Sequence, residues 1–354
     1  MKRRAVVAMS GGVDSSVAAA LLVEQGYEVT GLFMRSGVES AAGGVRTCCS
    51  QADAEDARRV AEQIGARFYV LNFADEFERL IERFVAEYGR GRTPNPCIEC
   101  NRDLKFGRLF DYAESVGAEA VGTGHYARVE RREDGPALLR GADRGKDQSY
   151  VLFSILYPRL SRVVLPLGGM TKEETRAEAR ARGLVVRDKP ESQEICFVPG
   201  AYLDLIRERR PELLRAGPIV DEMGREVGRH EGIAGFTIGQ RKGVRVAFGE
   251  PRYVVRLEAA TATVHVGRSD ALLAAGLAVE DVNWLVAAPP TGEIEAQVQI
   301  RYRHAAAAAT VRATADGAEV RFREPQRAVT PGQAAVFYAG ERVLGGGWIS
   351  RAVR

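Results

Sequence analysis

"VVAMSGGVDSSVAAALL", residues 6–22, sets a glycine pair and three serines between a β-branched apolar run and an alanine-rich stretch with helical character. A glycine pair lets successive backbone N–H groups turn toward one point. The helix that follows adds its own unpaired donors and roughly half a positive charge at its N-terminus. Such a junction is an anion cradle. The Lys-Ser/Thr of the common phosphate loop is absent, and Asp14-Ser15-Ser16 follows the second glycine instead. An acidic side chain beside a polyphosphate implies a bridging Mg²⁺, with Asp14 as its ligand, because like charges would otherwise face each other. The competing reading is a Gly-Ser turn that only starts a core helix; the strand before it and the helix after it favour the cradle.

Working outward, the first half alternates. Ala5–Met9, Glu28–Phe33, Phe68–Leu71 and Ala120–Thr123 read as strands, and Asp14–Gln25, Ala52–Ile64, Ala74–Tyr88 and Leu104–Val116 as helices. Strands separated by helices of this length predict an α/β fold with a doubly wound parallel sheet. After about residue 205 the texture changes to short β-rich runs between Gly and Pro turns: "RYVVRLEAATATVHVG" (252–267), "AQVQIRYRH" (296–304), "AEVRFRE" (318–324) and "AAVFYAGERVLGGGWI" (334–349). That pattern predicts small antiparallel sheets or barrels. The expected division is 1–204 for the nucleotide-loop domain, 205–275 for a small β-rich central domain and 276–354 for a C-terminal β-barrel-like domain. On this division, a chain ending near residue 275 is expected to stay folded.

The chain has 354 residues, 45% of them hydrophobic, so it can bury more than one core. Its start, Met1-Lys2-Arg3-Arg4, lacks the apolar h-region of a signal peptide, and no run approaches a membrane span. A cytoplasmic protein without membrane contact is expected. A net charge of +3 is too mild to prove nucleic-acid binding but permits local basic patches. The five cysteines, Cys48, Cys49, Cys97, Cys100 and Cys196, are an odd number in a chain read as cytoplasmic, which argues against a disulfide framework and for metal, redox or nucleophilic chemistry.

Further stretches carry chemistry-bearing residues. "GRTPNPCIECNRDLKFG" (91–107) places a Cys-x-x-Cys pair behind two prolines that stiffen the loop. "GTGHYAR" (122–128) returns glycines to the carboxyl edge of the sheet, where doubly wound folds bind ligands. "KDQSYVLF" (146–153), "ESQEICFVPG" (191–200), "HEGIAGFTIGQRKG" (230–243) and "PGQAAVFYAGERVLGGGWI" (331–349) complete the set. In this order, and along essentially the whole chain, they resemble the tRNA-specific 2-thiouridylases, with the opening stretch similar to the pyrophosphate loop of N-type ATP pyrophosphatases.

The resemblance implies ATP-dependent adenylation of a uridine C2 oxygen in tRNA, release of pyrophosphate, and replacement of AMP by sulfur. It implies an ATP site at Ala8, Met9, Ser10, Gly11, Gly12, Val13, Asp14, Ser15, Met34 and Gly124. It implies Cys196 as persulfide carrier and Cys100 as the partner nucleophile that attacks it. Target-base and tRNA contacts follow at Asn95, Pro96, Cys97, His125, Lys146, Asp147, Gln148, Arg301, Tyr302 and Gln333, and a sulfur donor such as a cysteine desulfurase or sulfur-relay protein is the implied partner. An unperturbed thiol is only about 3% thiolate at pH 7, so Arg102, Lys105 and helix dipoles would assist if they lower its pKa.

One position departs from the family pattern: many members have an acidic residue where this chain has Cys97. The trio Cys97, Cys100 and Cys196 then also resembles iron–sulfur tRNA thiolation enzymes, in which three thiolates hold a [4Fe-4S] cluster with one open iron. A zinc site would need Cys48, Cys49 or a histidine as a fourth ligand. Ordinary readings stand beside these: Cys48 and Cys49 pack at a helix entry capped by Ser50, Met34 fills a core, His125 satisfies loop backbone, and Arg301 with Tyr302 forms a solvated strand face. Two other classes compete, a pyrophosphate-loop synthetase acting on a small metabolite and a non-catalytic nucleotide- or cluster-binding regulator. Neither accounts for the Cys-x-x-Cys pair together with Cys196.

Overall fold

The computed structural model describes residues 2–37, 50–191, 195–198, 200–244, 246 and 249–354. Cys48 and Cys49 therefore lie outside the described residues, as do residues 192–194 of the Cys196 motif.

Strands β1 (Arg4–Ala8), β2 (Glu28–Arg35), β3 (Arg67–Asn72) and β4 (Ala120–Gly122) form most of a parallel sheet. A hairpin, β5 (Ala127–Arg132) and β6 (Gly135–Arg140), follows before the last strand of that sheet, β7 (Val163–Val164). The sheet order is β3-β2-β1-β4-β7, so the chain leaves β1 toward β2 on one side and reaches β4 on the other. That reversal opens a crevice at the carboxyl ends of β1 and β4. Val6 and Val7 of β1 are completely buried because both faces of a parallel sheet are covered. Helix α1 (Val13–Glu24) starts directly after the glycine pair; α2 (Gln51–Gln63) starts at Ser50, whose hydroxyl accepts from Asp53 N in a reciprocal capping box. Helix α3 (Ala74–Gly89) buries Phe77, Leu80, Ile81, Phe84 and Val85.

The central domain carries β8 (Gly217–Val220), β9 (Glu226–His230), β10 (Tyr253–Glu258) and β11 (Thr263–Gly267) in the order β10-β11-β8-β9. Six strands follow: β12 (Leu273–Trp284), β13 (Glu293–Gln299), β14 (Ala307–Thr314), β15 (Gly317–Arg327), β16 (Ala334–Ala339) and β17 (Arg342–Val353). They run β12-β15-β14-β13-β16-β17, and the pairing of β12 with β17 closes them into a barrel. The expected architecture of a doubly wound parallel sheet, a small β domain and a barrel is thus present. Gly276, taken from sequence as a boundary, lies inside β12, paired with Arg321 and Val353.

One local expectation is corrected. The strand expected over 296–304 ends at Gln299, and Arg303 takes a left-handed φ of 61°, so Arg301 and Tyr302 sit in a turn rather than on a strand face. The β5–β6 hairpin joins the barrel sheet through Arg342↔Leu139. One hydrophobic core unites Val6, Leu32, Phe110 and Val121 of the first domain with Leu285, Ala334, Val336, Tyr338 and Val343 of the barrel. The first domain and the barrel therefore share a core.

Candidate active site

Ser10 to Ser15 form a tight turn at the switch point. Gly11 has φ of 70°, and a Cβ there would lie 2.2 Å from the carbonyl oxygen of Asp53, so only glycine fits between the loop and α2. Ser15 Oγ accepts from Ser10 N at 3.1 Å, and Ser16 Oγ donates to Gly12 O at 2.8 Å. The segment after β4 closes on the loop: a Cβ on Gly124 would lie 2.6 Å from the carbonyl carbon of Asp14. Ala8, Met9 and Val13 are buried beneath the loop, and Met9 Sδ lies where a Cβ on Gly31 would be, 2.4 Å away.

Around this turn the fold gathers charges, of which sequence reasoning assigned Asp14 and Lys146 but not Lys172, Lys189 or Glu191. Lys172 Nζ donates to both carboxylate oxygens of Asp14, at 2.7 and 2.8 Å, and the Tyr126 hydroxyl donates to the same carboxylate at 2.9 Å. Lys172 also pairs with Glu191 at 3.2 Å, and Lys146 pairs with Glu191 at 2.8 Å. Burial opposes ionisation of Glu191, but the hydrogen bond from Lys146 and the charge of Lys172 outweigh it and hold its carboxyl below the usual range. Lys189 Nζ donates to Gly11 O at 2.9 Å and pairs with Asp53 and Asp56 at 2.6 and 2.7 Å, which fixes the loop to the start of α2. Burial and the neighbouring Asp14 push the Tyr126 phenol up, so it stays a donor. A sequence cue existed for Lys172: it occupies the first turn of helix Lys172–Ala181, where a cation opposes the helix dipole, and it is nonetheless buried.

The cysteine pair stands on a short helix, α4 (Pro96–Glu99), which runs into a π-helix from Cys100 to Arg108. Pro96 at the first helical position is preorganised for that start, and π geometry inside helices recurs at functional sites. Cys100 and Cys196 are half-buried, and both pack against one apolar cluster that includes Phe73, Phe77, Leu104 and Phe197; Met34, at the end of β2, packs there too. Cys97, by contrast, is exposed. Glu99, between the two thiols, is buried and pairs with Arg83 at 2.7 Å; burial raises its pKa against the pull of that arginine.

The remaining expected residues divide. His125 is buried, shares a 2.7 Å hydrogen bond with Thr123 Oγ1, and is held neutral because burial, then the charge of Lys105, pushes its pKa well below the usual value. A neutral imidazole cannot serve as a phosphate-binding cation. Asp147 accepts from Arg140, Gly141 N, Ser149 N and Ser149 Oγ, and Gln148 accepts from Tyr126 N at 2.9 Å, so both side chains shape their own loop. Tyr302 and Arg301 lie on the barrel turn, with Tyr302 6.1 Å from the ring of Tyr150. Gln333 reaches back to the 91–95 segment through Thr93. Asn95 precedes α4 without a side-chain cap.

The donor chemistry decides which inorganic groups fit. Asp14 offers one hard carboxylate at the loop mouth, its oxygens here bonded to Lys172 and Tyr126, and one such ligand is what Mg²⁺ ordinarily needs when phosphates supply its other oxygens. Cys97 is exposed while Cys100 and Cys196 are part-buried against one apolar cluster, and no group of three or more His, Cys, Asp or Glu among the described residues is placed to hold a metal ion.

A parallel sheet whose switch point carries a glycine–serine turn at a helix N-terminus places the chain among the α/β proteins that hold an anion at that position. Residues 3–200 match the tRNA methyl transferase HUP domain, 204–268 the tRNA methyl transferase PRC-barrel domain and 274–349 the aminomethyltransferase beta-barrel domain. The tRNA-specific 2-thiouridylase MnmA of Geobacter metallireducens is 53% identical over 99% of this chain and 98% of its own length, and that of Geotalea uraniireducens 51% identical over 99% and 96%. The chain belongs to the tRNA-specific 2-thiouridylase family. A 4-thiouridine synthetase–RNA complex with bound ATP aligns over 59% of this chain and 51% of that chain at 20% identity, with a TM-score of 0.39, a likeness too slight to argue from. No helix among the described residues is long and apolar enough to cross a membrane.

Proposed function

We propose that this protein is an ATP-dependent tRNA 2-thiouridylase that works by a persulfide relay. The observation that carries the reading is the presence, in a chain of this family, of an anion-binding loop ringed by lysines together with two half-buried thiols on one neighbouring apolar cluster. ATP places its phosphates at Ser10–Ser15, and the uridine C2 oxygen attacks the α-phosphorus, expelling pyrophosphate. Mg²⁺, held by Asp14 and phosphate oxygens, would neutralise phosphate charge. The Cys100 thiolate then attacks Sγ of a Cys196 persulfide; the S–S bond breaks, a Cys100–Cys196 disulfide forms, and the outer sulfur leaves as hydrosulfide. Hydrosulfide attacks C2 and expels AMP. Two equivalents of an external thiol, oxidised to their own disulfide, return the Cys100–Cys196 disulfide to two thiols, and a sulfur-donor protein reloads Cys196. Extruding an anticodon-loop base for this chemistry costs a few kcal/mol, less than from a duplex.

The direct test is formation of 2-thiouridine in a tRNA transcript with ATP and a persulfide donor, read by nucleoside mass spectrometry. Cys97 separates this reading from the cluster reading. In iron-free protein, Cys97→Ala is expected to retain wild-type thiolation, because an exposed thiol outside the relay makes and breaks no bond. Activity that tracks iron content across wild type and variant would replace the relay with the cluster.

Lys172→Met is expected to weaken ATP binding by about tenfold to a hundredfold, the range for losing one charge-assisted contact, with tRNA affinity unchanged. Equal ATP affinity in titrations of the two proteins would remove Lys172 from the phosphate site.

A further inference from the structure

The segment that leads into the cysteine helix is held in place by the other two domains. Thr93 N donates to Pro331 O at 2.9 Å, and Gln333 Nε2 donates to Thr93 O at 2.8 Å, so both backbone groups of Thr93 are satisfied by the barrel. Thr93 Oγ1 meets Thr237 Oγ1 of the central domain at 3.4 Å. Arg92 pairs with Glu87 of α3 at 2.7 Å and reaches Glu280 of β12. Gly332 has φ of 88°, and a Cβ there would stand 2.9 Å from Thr93 N, so the barrel loop can approach this closely only as glycine. The loop is rigid in its turn, since Gly332 N donates to Ile349 O and Ile349 N donates to Gln333 O. Past the nucleophile, the Arg102 guanidinium lies 4.9 Å over the ring of Trp348, the residue before Ile349.

We propose that Gln333 is a positioning residue for Cys100. It acts through the Thr93 carbonyl on the Pro94–Pro96 lead-in, so that the attacking thiol is set by the seating of the barrel on the first domain. The inference rests on the relay reading above and differs from the tRNA contact that the sequence resemblance assigns to Gln333. Prolines at 94 and 96 leave this short lead-in few internal degrees of freedom. A displacement at Thr93 is therefore passed to α4 rather than absorbed. Loss of the donor also leaves a part-buried carbonyl unpaired, which drives the segment toward another arrangement.

The test compares Gln333→Glu, which keeps size but replaces the donor with an acceptor, and Gln333→Lys, which keeps a donor at similar reach. Single-turnover sulfur transfer from persulfide-loaded protein is measured at saturating tRNA, beside pyrophosphate release, tRNA affinity and thermal unfolding. The rate of Cys100 alkylation in the protein alone is followed by mass spectrometry that resolves it from Cys97. The expected result for Gln333→Glu is a transfer rate lower by about tenfold, the equivalent of one lost hydrogen bond. Cys100 alkylation is altered, tRNA affinity and pyrophosphate release are preserved, and Gln333→Lys recovers most of the loss. Weakened tRNA affinity with unchanged transfer at saturation and unchanged alkylation would overturn the proposal in favour of direct RNA contact. A variant that unfolds early is judged through Gln333→Lys, whose alkylation and transfer must then match wild type for the proposal to stand. Should wild type form no 2-thiouridine at all, the relay reading fails, while alkylation without substrates still reports on the positioning of Cys100.

Discussion

Cys196→Ser is expected to abolish 2-thiouridine formation while pyrophosphate release continues. In the proposed relay the two chemistries draw on different parts of the site: adenylation is assigned to the loop at Ser10–Ser15 with Lys172 and Lys189 around it, and Cys196 packs in the separate cluster with Phe77, Leu104 and Phe197. A serine cannot carry a sulfane sulfur, so the outer sulfur never reaches the site, and the loss is on the order of the 10⁶-fold seen when a group that forms the covalent intermediate is removed. Cys100→Ser stops the same reaction one step later, with the persulfide loaded and uncleaved. Because adenylated C2 remains electrophilic in both variants, added sulfide is expected to restore part of the thiolation. Tracking AMP, pyrophosphate and 2-thiouridine on the same samples checks all three statements. Wild-type thiolation in Cys196→Ser would sink the relay; loss of pyrophosphate release in both variants would mean that the thiols also build the adenylation site.

What the sequence reveals of this site follows from the range of the forces involved. The loop is legible because its requirements are local: a left-handed glycine, hydroxyls near the turn and a helix start lie within a few residues of one another. The capping of α2 by Ser50 is legible for the same reason. Tyr126, Lys172, Lys189 and Glu191 are not, because each reaches the loop from far along the chain and only the folded sheet brings them together. The β5–β6 hairpin did leave a local mark, Asp134-Gly135, with Gly135 at φ of 114°. Arg301 and Tyr302 misled because apolar–polar alternation runs on past Gln299, and nothing in the pattern announces the left-handed Arg303 that ends it. Alanine is depleted in strands, yet β14 begins at Ala307 within the run Ala305–Ala309. Its pairing with β13 and β15 imposes the strand, and Ala309 is fully buried.

Removing residues after 275 is expected to unfold the first domain rather than leave it as a working ATP-binding fragment. Leu285, Val336, Tyr338 and Val343 are all fully buried in the core they share with Val6, Leu32 and Phe110. Without them Val6, Leu32 and Phe110 lose cover, and at about 1.5–3 kcal/mol for each large apolar side chain fully exposed the cost reaches up to about 9 kcal/mol, comparable with the whole stability of a typical domain. The loss extends to polar partners. Arg140 lies 3.6 Å over the ring of Tyr338, and the backbone N–H of Arg140 donates to Glu341 O, so the β6 edge would face water without its neighbour. Thr93 would lose both backbone partners at the same time, freeing the lead-in to Cys100. The fragment ending at residue 275 should therefore be insoluble, or soluble without a cooperative thermal transition. A soluble fragment that unfolds cooperatively within a few degrees of the full chain, and still binds ATP, would show that the first domain closes its core without the barrel.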